Sequence, residues 1–164
     1  SQSRGSLRFD SKISAFVPDK IVQDLVNIGS CNGTFALKDI FDEVKNSVSN
    51  ISTELKAIAD ETIFEADRQN YSIEPLWSTD LSDGKEKAFF DIQNDVTFDD
   101  VRLALLEGYS SVEHVKRYTT GGMGFDQGKT GNINIIGTIA DQQGVAMDDV
   151  GTTTFRSPFT PVSF

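Results

Sequence analysis

Glycines divide the second half of the chain into short segments, and this spacing constrains the fold more than any other feature of the sequence. Gly108 follows one segment of helical periodicity, and residues 119–124, Thr-Thr-Gly-Gly-Met-Gly, follow the next. Glycine readily takes the left-handed conformation that ends a helix. The spacing therefore predicts a small domain, residues 86–151, with short helices around a glycine-rich loop.

Within this domain, one strand and two helix starts are marked. The apolar run at residues 88–92 predicts a strand. Thr97 with Asp100, and Ser110 with Glu113, have the capping-box spacing that begins a helix. A third helix and a last short helical turn follow. The predicted core is Phe89, Val96, Val101, Leu103, Leu105, Val112, Val115, Ile135, Ile136 and Ile139.

The first unit, residues 1–57, is predicted to be a strand, a glycine turn and a helix. Val22 and residues 25–28 form the predicted strand, which enters the turn at residues 29–33. Apolar residues then recur at three- and four-residue steps from Phe35 to Ile51, the period of an amphipathic helix. Asn32 or Thr34 is expected to cap that helix.

The remaining residues are interpreted as connections. Residues 58–85 form a connector, and its Trp77 is expected to dock onto a neighbouring domain. Residues 152–164 form an extended linker. The missing initiator methionine and the apolar C-terminal tail predict that the chain is part of a longer protein.

Composition argues against several classes of protein and partner. The net charge of −10 repels nucleic acid and anionic membranes. One cysteine and one histidine exclude an internal disulfide and a zinc site rich in these residues. With no apolar stretch of about 18 residues and no signal-peptide core, we expect a cytoplasmic protein that does not enter a membrane.

Two glycine-containing segments are candidate binding sites. The turn at residues 29–33 could present N–H groups to an anionic ligand, or could be a tight connection alone. The loop from Lys116 to Lys129 is basic and suits a phosphate or a carboxylate-bearing partner; the alternative is that it only turns the chain. His114 and Cys31 are interpreted as structural, so these groups assign no reaction.

Four stretches of the sequence closely resemble a known family. They are residues 88–97, 111–120, 126–130 and 151–158. Together they resemble the alpha subunit of heterotetrameric sarcosine oxidase, across residues 86–164. Residues 1–57 are similar, more loosely, to the end of that subunit's dinucleotide-binding region. The resemblance implies an α+β, mostly helical fold that ends where a folate-binding domain begins.

The resemblance also implies function. The family oxidises sarcosine to glycine with oxygen and tetrahydrofolate, produces hydrogen peroxide, and assembles alpha, beta, gamma and delta subunits with NAD, FAD and FMN. It implies that this section is itself non-catalytic. The NAD-lining residues carried over are Ser30, Phe35 and Leu37. The residues expected to face FMN are Thr119, Thr120 and Lys129.

The small domain is also similar to the cluster-binding domain of bacterioferritin-associated ferredoxin type. The four positions of its cysteine ligands correspond here to Asp91, Gln93, Asp126 and Gly131. Because an iron–sulfur cluster requires thiolates, we expect no cluster and a retained scaffold. Two other functions stay open: a stand-alone acidic interaction module, and the alpha subunit of a related amine or opine oxidoreductase.

Overall fold

The computed structural model describes residues 4–56, 64–79 and 86–155. The chain divides into two compact units, residues 1–74 and 75–164. The described residues contain five α-helices and two small sheets, which confirms a mixed α and β fold. The predicted boundaries at residues 57 and 85 lie outside the described residues, as do residues 156–164 of the predicted linker.

The first unit begins with a β-hairpin that the sequence analysis did not predict. Strand β1, Leu7–Asp10, pairs antiparallel with β2, Ala15–Pro18. Phe9 lies opposite Phe16, and the centres of the two rings are 5.3 Å apart in an edge-on contact. The hairpin was missed because its turn, residues 11–14, contains no glycine, proline or asparagine.

The predicted strand at Val22 and residues 25–28 is wrong. Residues 19–28 form no strand, and the apolar side chains of this run are exposed. A strand is stable only when a neighbour accepts its hydrogen bonds, and the described residues provide no such neighbour here.

The predicted helix of the first unit is confirmed, but its predicted cap is wrong. A 3₁₀ turn at Gly29–Asn32 precedes helix α1, Leu37–Leu55. The residue before α1 is Ala36, which has no side-chain acceptor for the first N–H groups. The side chains of Asn32 and Thr34 instead bind the carboxylate of Glu43.

The second unit contains a second hairpin and four helices. Strand β3, Phe89–Asp91, pairs antiparallel with β4, Val96–Thr97. The helices are α2, Phe98–Leu106; α3, Val112–Thr119; α4, Asn132–Gln143; and α5, Met147–Val150. These elements confirm the strand, the three helices and the final helical turn that the sequence predicted.

Of the two predicted capping boxes, one is present. The hydroxyl of Thr97 accepts from the N–H of Asp100, and the carboxylate of Asp100 accepts from the N–H of Thr97. The Ser110–Glu113 box is wrong, because α3 begins after Ser111, whose side chain makes no cap. Helix α3 ends at Thr119, and the next residue, Thr120, takes the left-handed conformation in place of the predicted glycine.

The core of the second unit lies between α2, α3 and α4. Val101, Val115 and Ile139 are completely enclosed. Seven of the ten predicted core residues are buried: Val96, Val101, Val112, Val115, Ile135, Ile136 and Ile139.

The other three predicted core residues are not buried. Phe89 and Leu103 are exposed, and Leu105 is half-buried. Their buried neighbours are Phe90 on β3 and Ala104 on α2. The apolar pattern was misread by one residue, because a strand or a short helix presents only one of two adjacent apolar residues to the core.

Trp77 packs against α4 within the second unit, as its predicted docking requires. A Cβ atom added at Gly137 would collide with the indole ring of Trp77. The glycine therefore provides the space that the ring occupies. Among the described residues, no helix combines the length and apolar character needed to cross a bilayer.

Candidate functional site

Residues 120–131, here called the glycine-rich loop, join α3 to α4 and are held by side chains from the β3–β4 turn. The buried carboxylate of Asp91 accepts four N–H groups. Oδ2 accepts from Gly122 N at 2.8 Å and from Asn94 Nδ2 at 3.1 Å. Oδ1 accepts from the backbone N–H groups of Gln93 and Asn94, at 2.9 and 3.1 Å. Each of these four partners of Asp91 is an N–H group.

Gln93 and Asn94, in the turn that follows Asp91, hold two other points of the loop. Gln93 Oε1 accepts from the backbone N–H of Phe125 at 2.6 Å. Asn94 Nδ2 also donates to the carbonyl oxygen of Thr120 at 3.2 Å. The turn between β3 and β4 is therefore connected to the beginning and the middle of the glycine-rich loop.

Asp126 folds the second half of the loop onto itself. Its carboxylate accepts from the hydroxyl of Thr130 at 2.8 Å and from the N–H of Gly128 at 3.0 Å. These hydrogen bonds, that of Thr130 foremost, hold the pKa of Asp126 below its ordinary value, although partial burial acts in the opposite direction.

The first residue of α4, Asn132, is enclosed by the loop. A Cβ atom at either Gly122 or Gly128 would collide with the Asn132 side chain, and both glycines have positive φ angles, 72° and 75°. Asn132 Nδ2 donates to the hydroxyl of Thr153 at 2.7 Å. Asn132 therefore contacts both the glycine-rich loop and the segment that leaves α5.

That segment is also held by α3. Lys116 is only 7% exposed, and its Nζ donates to the carbonyl oxygen of Thr154 at 3.1 Å. The N–H of Thr154 donates to Glu113 Oε1 at 2.6 Å, while Arg117 pairs with Glu113 Oε2 at 3.1 Å. Both backbone polar groups of Thr154 are thus bound by side chains one turn apart on α3.

The three residues expected to face FMN lie at the two ends of the loop. The hydroxyl of Thr119 donates to the carbonyl oxygen of Val115 at 2.8 Å and accepts from the N–H of Gly121 at 3.1 Å. Thr120 and Lys129 are exposed. Lys129 therefore presents a cation to solvent near the end of the loop, whereas Thr119 donates its O–H to a carbonyl oxygen of α3.

The three residues expected to line NAD lie around the 3₁₀ turn and the start of α1. Ser30, Phe35 and Leu37 are exposed, and the ring of Phe35 packs edge-on against Tyr71 with centres 5.6 Å apart. Their exposure leaves the three side chains accessible to a ligand.

The donors of this turn are bound by Glu43, a residue that the sequence analysis did not single out. Its carboxylate accepts from Gly29 N at 2.8 Å, Asn32 Nδ2 at 3.1 Å and Thr34 Oγ1 at 2.5 Å. Partial burial acts to raise the pKa of Glu43, but the three hydrogen bonds outweigh it and hold the pKa below its ordinary value. A protein carboxylate thus occupies the anion-binding position of the turn.

Neither His114 nor Cys31 belongs to a cluster. Both are exposed, and the Cys31 thiol donates to the carbonyl oxygen of Ile28 at 3.0 Å. In the part of the chain that the structure describes, no three His, Cys, Asp or Glu side chains are grouped to bind a metal ion. The contacts of Asp91 with Gly122 and of Lys116 with Thr154 were missed because a sequence pattern does not specify backbone partners far along the chain. Glu43 was missed although two of its three partners, Asn32 and Thr34, are side chains.

The chain is similar in sequence to known proteins of one family. Residues 85–164 match the model described as "Sarcosine oxidase A3 domain". A sarcosine oxidase subunit alpha of Rhizobium meliloti is 59% identical over 90 residues, which are 55% of this chain and 9% of that protein. Two Corynebacterium proteins of the same name are each 35% identical, over the whole of this chain and 18% of theirs. The chain thus spans less than a fifth of the length of these relatives.

Proposed function

Because the chain belongs to the sarcosine oxidase alpha-subunit family, we propose that it is a non-catalytic section of such a subunit and supports cofactors bound at its edges. In this proposal the whole enzyme oxidises sarcosine to glycine with oxygen and tetrahydrofolate and releases hydrogen peroxide. Beta, gamma and delta subunits complete the enzyme, and its FAD is bound outside this section.

The observation that carries the scaffold role is that polar side chains of the β3–β4 hairpin and of the glycine-rich loop are used to hold the loop's own backbone. Asp91, Gln93 and Asp126 each bind N–H or O–H groups of the glycine-rich loop or its adjoining turn. Side chains whose hydrogen bonds are already satisfied hold a backbone in place rather than exchange protons with a substrate. The site is therefore suited to positioning.

FMN is proposed to lie beside the glycine-rich loop. Lys129 fits a role on its phosphate, because it is an exposed cation in a chain of net charge −10. Thr120 is exposed and accessible to the cofactor. Thr119 donates its O–H to the carbonyl oxygen of Val115, so it stabilises the end of α3 before the loop. When bound, FMN would supply the redox chemistry, because the side chains of this section carry no flavin-like electron carrier.

NAD is proposed to contact the exposed side chains of Ser30, Phe35 and Leu37. Phe35 and Leu37 offer apolar surface, which suits a ring rather than a phosphate. The phosphates are expected on another part of the subunit, because Glu43 already occupies the N–H of Gly29.

The residues at the four ferredoxin-type positions do not fit an iron–sulfur cluster. Asp91, Gln93 and Asp126 provide oxygen in place of thiolate sulfur. A side chain at Gly131 would collide with the carbonyl oxygen of Phe90, so the backbone leaves no space for a fourth ligand. We therefore propose a cluster-type scaffold without a cluster. Stoichiometric iron in the purified protein would contradict this.

A charge reversal in the assembled enzyme tests the FMN assignment. In the full alpha subunit with its partner subunits, Lys129→Glu is expected to lower FMN content, because it replaces attraction to phosphate by repulsion. Lys45→Glu, the same change on an exposed lysine of α1, is the control and is expected to leave FMN content unchanged. Equal FMN content in both variants and the wild type would refute the assignment.

A further inference from the structure

The turn before α1 contains an asparagine followed by a glycine, a pair in which the backbone can react with the asparagine side chain. Asn32 is the only asparagine of the sequence with a glycine after it. Glycine has no Cβ atom, so the N–H of Gly33 can approach the side chain of Asn32 with little hindrance. Asn32 is exposed and Gly33 is half-buried. Water, which the reaction consumes, therefore has access to the pair.

The reaction is deamidation through a cyclic succinimide. The backbone nitrogen of Gly33 attacks the side-chain carbon Cγ of Asn32, and the new N–C bond replaces the bond from Cγ to Nδ2. The departing Nδ2 group takes up the proton of the Gly33 N–H and leaves as ammonia. Water then opens the succinimide ring, and the product is aspartate or isoaspartate.

The folded turn occupies both reacting groups. Asn32 Nδ2, the leaving group, donates to Glu43 Oε1 at 3.1 Å. The N–H of Gly33, the attacking group, donates to the carbonyl oxygen of Ser30 at 3.1 Å. Gly33 also has a φ of 85°, and a Cβ atom added there would collide with Ile13 of the first hairpin. Ring closure therefore requires the turn to open.

A single carboxylate on α1 holds the turn closed at three points. Besides Asn32, Glu43 accepts from the N–H of Gly29 at 2.8 Å and from the hydroxyl of Thr34 at 2.5 Å. These contacts lie before, within and after the reacting pair. When the closed form does not react, the reaction rate follows the population of the locally opened form. Glu43 is therefore placed to control that rate.

We propose that Asn32 is a deamidation site of this chain and that Glu43 limits its rate by keeping the turn closed. The inference goes beyond the proposed function and does not depend on it. Either product replaces the Nδ2 donor by a second carboxylate that faces Glu43, and two negative charges at this distance repel each other. The modified turn therefore loses a contact that held it closed and stays open.

The test incubates the full alpha subunit at mildly alkaline pH and follows deamidation at each asparagine by peptide mass mapping. Glu43→Ala is expected to raise the rate at Asn32 at least about tenfold, because a charged hydrogen-bond acceptor is lost. Glu54→Ala, the same change at an exposed position of α1, is the control and is expected to keep the rate of the wild type. Asn46, in the middle of α1 and followed by serine, is the internal reference and is expected to stay intact.

The other outcomes overturn the inference or are decided by a second variant. Equal rates at Asn32 in the wild type and Glu43→Ala, or no deamidation there in either, would overturn it. A slower reaction in Glu43→Ala would show that the carboxylate promotes ring closure as a base, which also contradicts protection. If Asn46 reacts as fast as Asn32 in Glu43→Ala, α1 has unfolded as a whole, and Glu43→Gln, which keeps an acceptor oxygen, decides. A rate at Asn32 between those of the wild type and Glu43→Ala, with Asn46 intact, supports the inference, and the rate of the wild type contradicts it.

Discussion

Asp91 and Gly122 are joined by a hydrogen bond of 2.8 Å between the carboxylate Oδ2 and the backbone N–H, although 31 positions separate them in the chain. The bond connects the β3–β4 turn to the glycine-rich loop, and it is buried. A buried N–H without an acceptor costs about 1–3 kcal/mol, so the conformation of the loop depends on this carboxylate.

Acid is expected to weaken the first unit through Glu43. Its pKa in the folded chain lies below its ordinary value, so its hydrogen bonds favour folding above the unfolded pKa, and this contribution is lost as the pH falls through the folded value. Below about pH 5, where carboxylates begin to bind protons, the stability of Glu43→Gln is expected to fall less steeply with pH than that of the wild type. The loss of the folded amide signals of residues 29–43, followed by NMR during acid titration of the intact chain, measures this fall in stability. Glu54→Gln, on the exposed surface of α1, is expected to behave like the wild type; identical titrations of all three would contradict the role of Glu43.

Gly137→Ala is expected to displace the only tryptophan of the chain. The added Cβ would collide with the Trp77 ring, so the emission of Trp77 shifts to longer wavelength and the free energy of unfolding falls by roughly 1–3 kcal/mol. Fluorescence and urea unfolding measure both. Gln142→Ala, on an exposed position of α4, is the control. Unchanged emission in Gly137→Ala would show that the ring lies elsewhere.

Ile136 and Leu103 distinguish the observed core from the core predicted by periodicity. Ile136 is 3% exposed, and Ile136→Ala is expected to lower the free energy of unfolding by about 2–5 kcal/mol because it leaves a cavity. Leu103 is 46% exposed, so Leu103→Ala is expected to cost much less. Chemical denaturation of the two variants gives the comparison, and equal losses would contradict the packing described here.

Lys116→Met is expected to release Thr154 from α3 with little effect on overall stability. Replacing a buried cation by an apolar side chain of similar length is often close to neutral, yet the carbonyl oxygen of Thr154 loses its donor. Hydrogen exchange at the Thr154 amide is expected to rise about tenfold, which corresponds to about 1.4 kcal/mol of local stability. Lys45→Met is the control. Unaltered exchange in Lys116→Met would show that Glu113 alone holds the segment.

Elements with local signals were predictable from the sequence. The capping box of Thr97 and Asp100 satisfies N–H groups within three residues, so its spacing alone indicated the start of α2. The three- and four-residue period likewise predicted α1. The predicted strand at residues 25–28 failed because sheet formation depends on a partner elsewhere in the chain.

The candidate site was less predictable for a related reason. The glycine-rich loop and its residues Thr120 and Lys129 stand out by composition, but the contacts that shape the loop are long-range. Asp91 and Gln93 reach backbone atoms more than 30 residues away, and nothing in the sequence near Gly122 or Phe125 marks those N–H groups as donors to them. Glu43 was overlooked on α1 because an acidic residue off the apolar stripe is usually a solvated charge.

Hydrogen exchange at the Gly122 and Phe125 amides, in the wild type and in Asp91→Ala, tests most directly whether side chains hold the glycine-rich loop. Asp141→Ala, which removes an exposed carboxylate from α4, is the control. We expect both amides to be protected in the wild type and the control, and Gly122 to lose its protection in Asp91→Ala as the free energy of unfolding falls by roughly 3 kcal/mol. Exchange of both amides at the rate of an unfolded chain in the wild type would contradict the account.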